Sequence, residues 1–337
     1  MMRKAFVIAL VAGVAACSSM TPQKAPEPDT SPTSSTAVFE THVTNGGVMG
    51  FSPFESTDKR YVRGNMRRED NTMKGTGTFA VVSNLFLAQD NTEIQRLDRN
   101  LRWTLNNSRK EYSECPVHGC PVLGAKEREA EEKKSSEPKA KTESGCTMKI
   151  ANASYTVKPT GEKSDINGFS SEQYKIVWLV TLQDNTKRKT TSTLNIELWT
   201  TPLTADMRKA LGIEEAFDKA YAANAPRAQR VAAKKPLDVL PPEVARMMQG
   251  YLSSGLSASD RDALVKAGRE LEKIKGHPIS THADWSMEGN ACASKDSASA
   301  PTGPILSFTI EVKTLKTAPV HDSLFSVPKD YKLVSGH

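Results

Sequence analysis

The sequence predicts an α+β protein: an antiparallel sheet with one covered face, and a block of helices inserted late in the run of strands and laid across it. Three observations predict this. Apolar and polar residues alternate in several well-separated segments, the period of a half-buried strand. Turn chemistry at Asn167-Gly168 and Asp184-Asn185 separates successive segments at short spacing, which favours antiparallel neighbours. Between Leu203 and Lys275 the period changes to that of a helix.

Each strand is read from its apolar face. Leu101, Trp103 and Leu105 alternate with Arg102, Thr104 and Asn106. Tyr174, Ile176, Trp178, Val180 and Leu182 alternate with smaller or polar groups. Leu194, Ile196 and Leu198 form a third set, and Leu306, Phe308, Ile310 and Val312 a fourth. Pro278-Ile279 opens a further strand. Phe79 to Leu87 is apolar nearly throughout and reads as a strand buried on both sides.

The helical block divides at prolines. Asp206 to Tyr221 carries Leu211, Phe217, Ala220 and Tyr221 on a helical spacing, with Thr204 as a cap. Glu243 to Leu252 holds Val244, Met247, Met248 and Tyr251, and Ser259 to Ile274 holds Leu264, Ala267, Leu271 and Ile274. Pro236, Pro241 and Pro242 separate these helices, and Gly276 ends the last.

The amino terminus has the parts of an export signal. Arg3 and Lys4 precede an apolar run from Ala5 to Val14, too short to span a bilayer as a stable helix. The run ends Val14-Ala15-Ala16-Cys17, which resembles the bacterial lipobox. That resemblance implies a signal peptide over residues 1–16, cleavage before Cys17 and acylation of that cysteine. Two or more chains anchor a protein stably. Ser18, rather than an aspartate, implies the outer membrane, with the protein facing the periplasm. Residues 17–37, rich in Ser, Thr and Pro, read as a tether that cannot bury enough surface to order itself.

Removing Arg3 and Lys4 from a net charge of +6 leaves about +4, too mild to argue for a nucleic-acid partner. Residues 124–145 hold six basic residues and six glutamates without an aromatic residue. They read as a solvated loop inserted in a long hairpin.

The order of several short motifs resembles a known family. Gly64-x-x-Arg67-Arg68-Glu69 is followed by Ile94-x-x-Leu97-Asp98-x-x-x-Arg102-Trp103-x-Leu105 and by Lys110-x-Tyr112-x-Glu114. Gly161-Glu162-Lys163, Ile166-Asn167-Gly168-Phe169, Gly276-x-Pro278-Ile279 and Leu324-Phe325-x-Val327-Pro328-x-x-Tyr331 come later. Together they resemble the LolA-like (LppX-like) group of periplasmic proteins, above all its lipoprotein members. The resemblance covers about Val38 to Tyr331. It implies one domain over residues 38–337, with a strongly curved sheet, a half-barrel, covered by a helical lid at 203–275. It also implies an apolar pocket between them that holds lipid or the acyl chains of a partner. Trp103, Leu105, Trp178 and Ile196 would line the concave face, opposite Phe217, Met247, Met248 and Tyr251 on the lid. Packing in an ordinary core is the alternative for each of these side chains. The carriers of this fold move freely, whereas a chain anchored at Cys17 cannot.

Four cysteines remain besides Cys17: Cys115, Cys120, Cys146 and Cys292. An even number in an oxidising compartment points to two disulfides. Cys115–Cys120 with Cys146–Cys292 is the preferred pairing among three. A zinc site from Cys115, His118, Cys120 and Cys146 is the alternative, but its spacing matches no common zinc pattern. The basic cluster Lys59, Arg60, Arg63, Arg67, Arg68 and Lys74 reads as a solvated strand face and the stretch Arg227 to Lys235 as a loop, because no aromatic residues are interleaved; contact with anionic lipid headgroups or phosphate is the alternative. No nucleophile elbow, P-loop, H-E-x-x-H or dinucleotide fingerprint occurs. The sequence therefore predicts neither an enzyme nor a bound cofactor or metal. Its functional reading is a hydrophobic-ligand-binding lipoprotein; the alternative is an envelope interaction or structural protein whose core is filled.

The lipid site is directly testable. Protein extracted from cells should begin at Cys17 and carry acyl mass there, and Cys17→Ser should lose that mass. An unacylated amino terminus in the unaltered protein would reject the anchor.

Overall fold

The computed structural model describes residues 29–48, 53–78, 80–120, 146, 148–224, 274–292 and 303–334. The first half of the chain forms β1 (Thr33–Val48), β2 (Phe54–Arg63), β3 (Met66–Gly75), α1 (Ala80–Leu87), β4 (Gln89–Arg96), β5 (Leu101–Asn106) and β6 (Glu111–Pro116). The second half forms β7 (Met148–Ile166), β8 (Phe169–Asp184), β9 (Lys189–Thr201), α2 (Ala205–Asn224), β10 (His277–Gly289), β11 (Leu306–His321) and β12 (Lys332–Leu333).

All twelve strands belong to one sheet, in the order β12-β6-β5-β4-β3-β2-β1-β11-β10-β9-β8-β7. It is two antiparallel meanders, β1 to β6 and β7 to β11, joined where β1 pairs with β11. Only the short β12 runs parallel to its neighbour, β6. The expected turns are present: Asn167 and Gly168 both have positive φ between β7 and β8. The tip of this hairpin bends over the sheet, because the Asn167 side-chain amide donates to the carbonyl of Val312 on β11.

Residues paired across strands share a face, so the register assigns each side chain. Phe39 and Val43 lie on the face carrying α2. Val43 pairs with Ile310, Ile310 with Thr281, Thr281 with Leu198 and Leu198 with Tyr174. Tyr174, Ile176 and Trp178 therefore point to the α2 side. Trp103 pairs with Ile94, Ile94 with Arg68, Arg68 with Tyr61 and Tyr61 with Val38. Val38 is one residue from Phe39, so Trp103 and Leu105 point the other way.

Each face has its own cover. α2 packs on β11, β1 and β2 through Met207, Ala210 and Phe217, against Ala37, Phe39, Val62 and Leu315. Thr204 caps it, accepting from the backbone of Met207 at 3.2 Å. On the opposite face the C-terminal segment lays Val327 and Tyr331 against Ile94, Trp103 and Leu105. Arg68 and Arg96 hold that segment by donating to the carbonyls of Leu324 and Phe325.

The α+β expectation, a half-barrel covered by an inserted block of helices, is corrected: the described chain is predominantly one large sheet with two helices. The excess of strand comes from β1 to β4, whose sequences are too polar to show one apolar stripe. Of the helical block, α2 is described. The other expected helices, with Met247, Met248 and Tyr251, lie outside the described residues, as do Cys17 and residues 124–145.

Three smaller expectations change. Phe79 to Leu87 is not a buried strand, since residues 80–87 form α1 with Val81 and Leu85 exposed. β1 begins at Thr33, inside the segment read as tether, and buries Thr36 and Ala37 completely. β6 and β7 are not hairpin partners; they lie ten inter-strand spacings apart, about 48 Å along the sheet. The long connection between them joins one side of the sheet to the other.

Phe217 is fully buried, with the Arg67 guanidinium 4.2 Å from its ring centroid. Phe217→Ala should cost about 3–5 kcal/mol in urea unfolding. A loss below about 1 kcal/mol would mean that α2 is not seated as described.

Candidate functional site

The α2-side face of β8 to β11 is apolar across four strands. Ile176, Trp178, Ile196, Leu198, Ala283 and Phe308 belong to one buried cluster there. α2 lies over the sheet centre, and among the described residues only Ile274 comes from outside the sheet to pack on this cluster. At one end of the cluster, where β1, β2 and β11 terminate, an open cleft of about 460 Å³ is lined by Phe54, Phe308, Pro53, Thr44, Thr309 and Glu55, among others. Phe308 belongs to both features, so the apolar strip reaches the cleft wall.

The residues expected to line a single pocket are separated. Trp178 and Ile196 sit in this strip. Phe217 sits under α2 at the sheet centre. Trp103 and Leu105 are buried on the opposite face beneath the C-terminal segment, and the Trp103 indole N–H donates to Glu114 at 2.7 Å. Alternation in a strand gives the period of burial but not which side of the sheet is meant, so these side chains could not be sorted from sequence.

Sequence reasoning also missed how α2 is held. Arg60 on β2 pairs with Glu214 at 3.0 Å and lies over the Phe39 ring at 5.1 Å. Arg67 on β3 bonds to Asp218 and lies over Phe217. Each guanidinium thus meets one carboxylate of α2 and one aromatic face. Burial pushes the carboxyls of Glu214 and Glu69 up, and the charges of Arg60 and Arg67 partly offset it. The signal was the helical spacing of Glu214 and Asp218, on the same helix face as Phe217.

The cysteines pair as Cys115–Cys120 and Cys146–Cys292. This splits the alternative zinc set, and the His118 ring instead lies tilted against Tyr221 of α2, with centroids 4.7 Å apart. Asp184 lies near the second disulfide, and the ligand atoms of Cys146, Asp184 and Cys292 fall within 4.8 Å of one another. Disulfide sulfurs offer no thiolate. The Asp184 carboxylate, fully buried, already accepts from the backbone of Thr186, Arg188 and Cys292, from the Thr186 hydroxyl and from Arg188 Nε. This cluster is a structural knot tying the β8–β9 turn to the end of β10. Burial alone would push the Asp184 carboxyl up, but the bonds from Cys292, Thr186 and Arg188 outweigh it and hold it well below the usual carboxylate range.

No protein-family model matches the chain, and no curated protein matches it.

The Asp184 knot sets an acid dependence. A carboxylate with a depressed folded-state pKa contributes its full stability above the unfolded value, near 3.9, and loses it as pH falls through the lower folded value. Asp184→Asn should lower the melting temperature at pH 7. Between pH 5 and pH 2 the variant should lose less further stability than the unaltered protein. Parallel pH profiles for the two proteins would remove Asp184 from this role.

Proposed function

We propose that this protein is a non-catalytic lipoprotein, anchored through Cys17 to the outer membrane and facing the periplasm, that binds a hydrophobic ligand along the apolar strip of β8 to β11. The ligand class is a lipid or the acyl chain of a partner. The observation that carries the reading is the continuity of the strip, through Phe308, with the cleft beside Phe54. An acyl chain entering there would meet apolar side chains from several strands. Burial contributes about 0.8 kcal/mol per methylene, so a long chain needs few specific contacts. Glu55, Thr44 and Thr309, on the other face of the sheet at the cleft, would meet a polar headgroup that rounds the strand ends into water.

This reading does not use a half-barrel or a helical lid. It rests on the strip, the cleft and the amino-terminal motif. The second reading, an interaction or structural protein with a filled core, also has support: Ile176, Trp178, Ile196 and Phe308 are each no more than 8% exposed. Protein filling that space would bury them as well as a ligand does.

Native mass spectrometry and lipid extraction of the chain purified from cells separate the two. The ligand reading expects bound lipid mass, saturable uptake of a fluorescent fatty acid, and uptake reduced about tenfold by Phe54→Asp. Absence of both lipid and uptake would establish the filled-core reading instead.

A further inference from the structure

α1 turns apolar side chains to solvent. Its eight residues, Ala80 to Leu87, include Asn84 and three large apolar side chains that face solvent: Val81 at 85%, Val82 at 58% and Leu85 at 78% exposed. Surface helices ordinarily turn such residues to the core and polar residues to water. Here the reversal is fixed by Asn84. Its side-chain oxygen accepts from Gly75 N at 2.6 Å, and its amide donates to the Gly75 carbonyl at 3.3 Å. The polar residue is spent holding the helix to the end of β3. With the helix held that way, Val81, Val82 and Leu85 are turned outward.

The surroundings match. No charged residue occurs from Gly75 to Gln89, so burial of this tip desolvates no ionic group. Thr76 N donates to the Pro53 carbonyl, which ties the helix to the mouth of the cleft lined by Pro53, Phe54 and Thr76.

We propose that α1 is a wedge that docks on a lipid bilayer, with Val81, Val82 and Leu85 entering the region between headgroups and acyl chains. The size of the patch chooses this occupant. The three described apolar side chains on these two turns cover much less than the ~800 Å² per partner of a stable protein–protein contact. A bilayer needs no matching shape, and its hold on an apolar helix face scales with the area inserted rather than requiring a minimum interface. The inference stands apart from the ligand reading and from acylation of Cys17.

The test places a reporter on the wedge. Leu85→Trp in the full chain adds one indole to the four native tryptophans at a site where no core packing is disturbed. With phosphatidylcholine vesicles whose acyl chains are brominated, the added emission should shift to the blue and be quenched at least twofold. Val81→Asp in the same chain should abolish both effects while leaving the melting temperature unchanged. The neutral headgroup and a repeat at high salt remove any charge-driven attraction. Emission unaffected by vesicles would overturn the wedge, and so would quenching that survives Val81→Asp. A blue shift that depends on protein concentration without vesicles would assign the patch to a second copy of the chain and overturn the bilayer as its occupant.

Discussion

The pairing of β1 with β11 is the interaction on which the rest of the molecule depends. Each meander is held by turns and local ladders, but nothing local joins one meander to the other. The β1–β11 ladder runs from Thr33–His321 to Val48–Leu306 and absorbs a bulge between Glu40 and Thr41. On β11 this bulge gives the chain one extra residue, so that Val312 and Leu315 both face α2. α2 then lies across the join, touching β11, β1 and β2. Arg60 and Arg67 secure it from the first meander, and Asp206 accepts from Thr317 on the second. The helix therefore spans the seam that the strands create.

That seam divides the α2-side face into two kinds of surface. Toward β8 and β9 it is aliphatic and aromatic. Toward β3 and β5 it carries Arg67, Glu69 and Arg102, and the Nε atoms of Arg67 and Arg102 are buried without a hydrogen bond. An apolar ligand has one side of the sheet open to it in chemistry, and the charged side excludes it through the desolvation it would demand. The cleft lies at the end of the strands where the apolar side begins.

Much of this was legible in the sequence, and the failures have physical causes. β5, β8, β9 and β11 announced themselves by alternation, and α2 by its spacing and its Thr204 cap. β2 and β3 did not, because sequences such as Arg67-Arg68-Glu69-Asp70 place charge on both faces and bury it against other charge: Arg68 on Asp70 at 2.8 Å, and Arg67 near Glu69. α1 was misread because a short run of Val, Leu and Phe has no period that tells a strand from a helix. Asn84, which clamps this helix to Gly75, gives no such sign in the sequence. Trp103 and Trp178 looked alike in their own strands. Only the register through the eight strand pairings between them puts them on opposite faces. Count and compartment pointed to two disulfides without fixing which cysteines pair, and the bonds gathered on Asp184 come from the β8–β9 turn and the end of β10, which sequence alone does not bring together.

β1 also sets a distance. Thr33 and Val48 stand at opposite ends of a strand of 16 residues, about 50 Å long, and α1 projects from the Val48 end. Residues 17–32 reach at most about 55 Å when extended. An acylated Cys17 and a docked α1 would thus tie both ends of the same strand to one lipid surface. A protein on a single flexible leash tumbles freely; one pinned at two points so far apart cannot. Because residues 17–32 would span an upright β1 only when almost fully stretched, at a cost in chain entropy, the strands would favour a tilt toward the plane of the membrane, and the opening beside Phe54 would be carried down to the headgroups instead of facing bulk water.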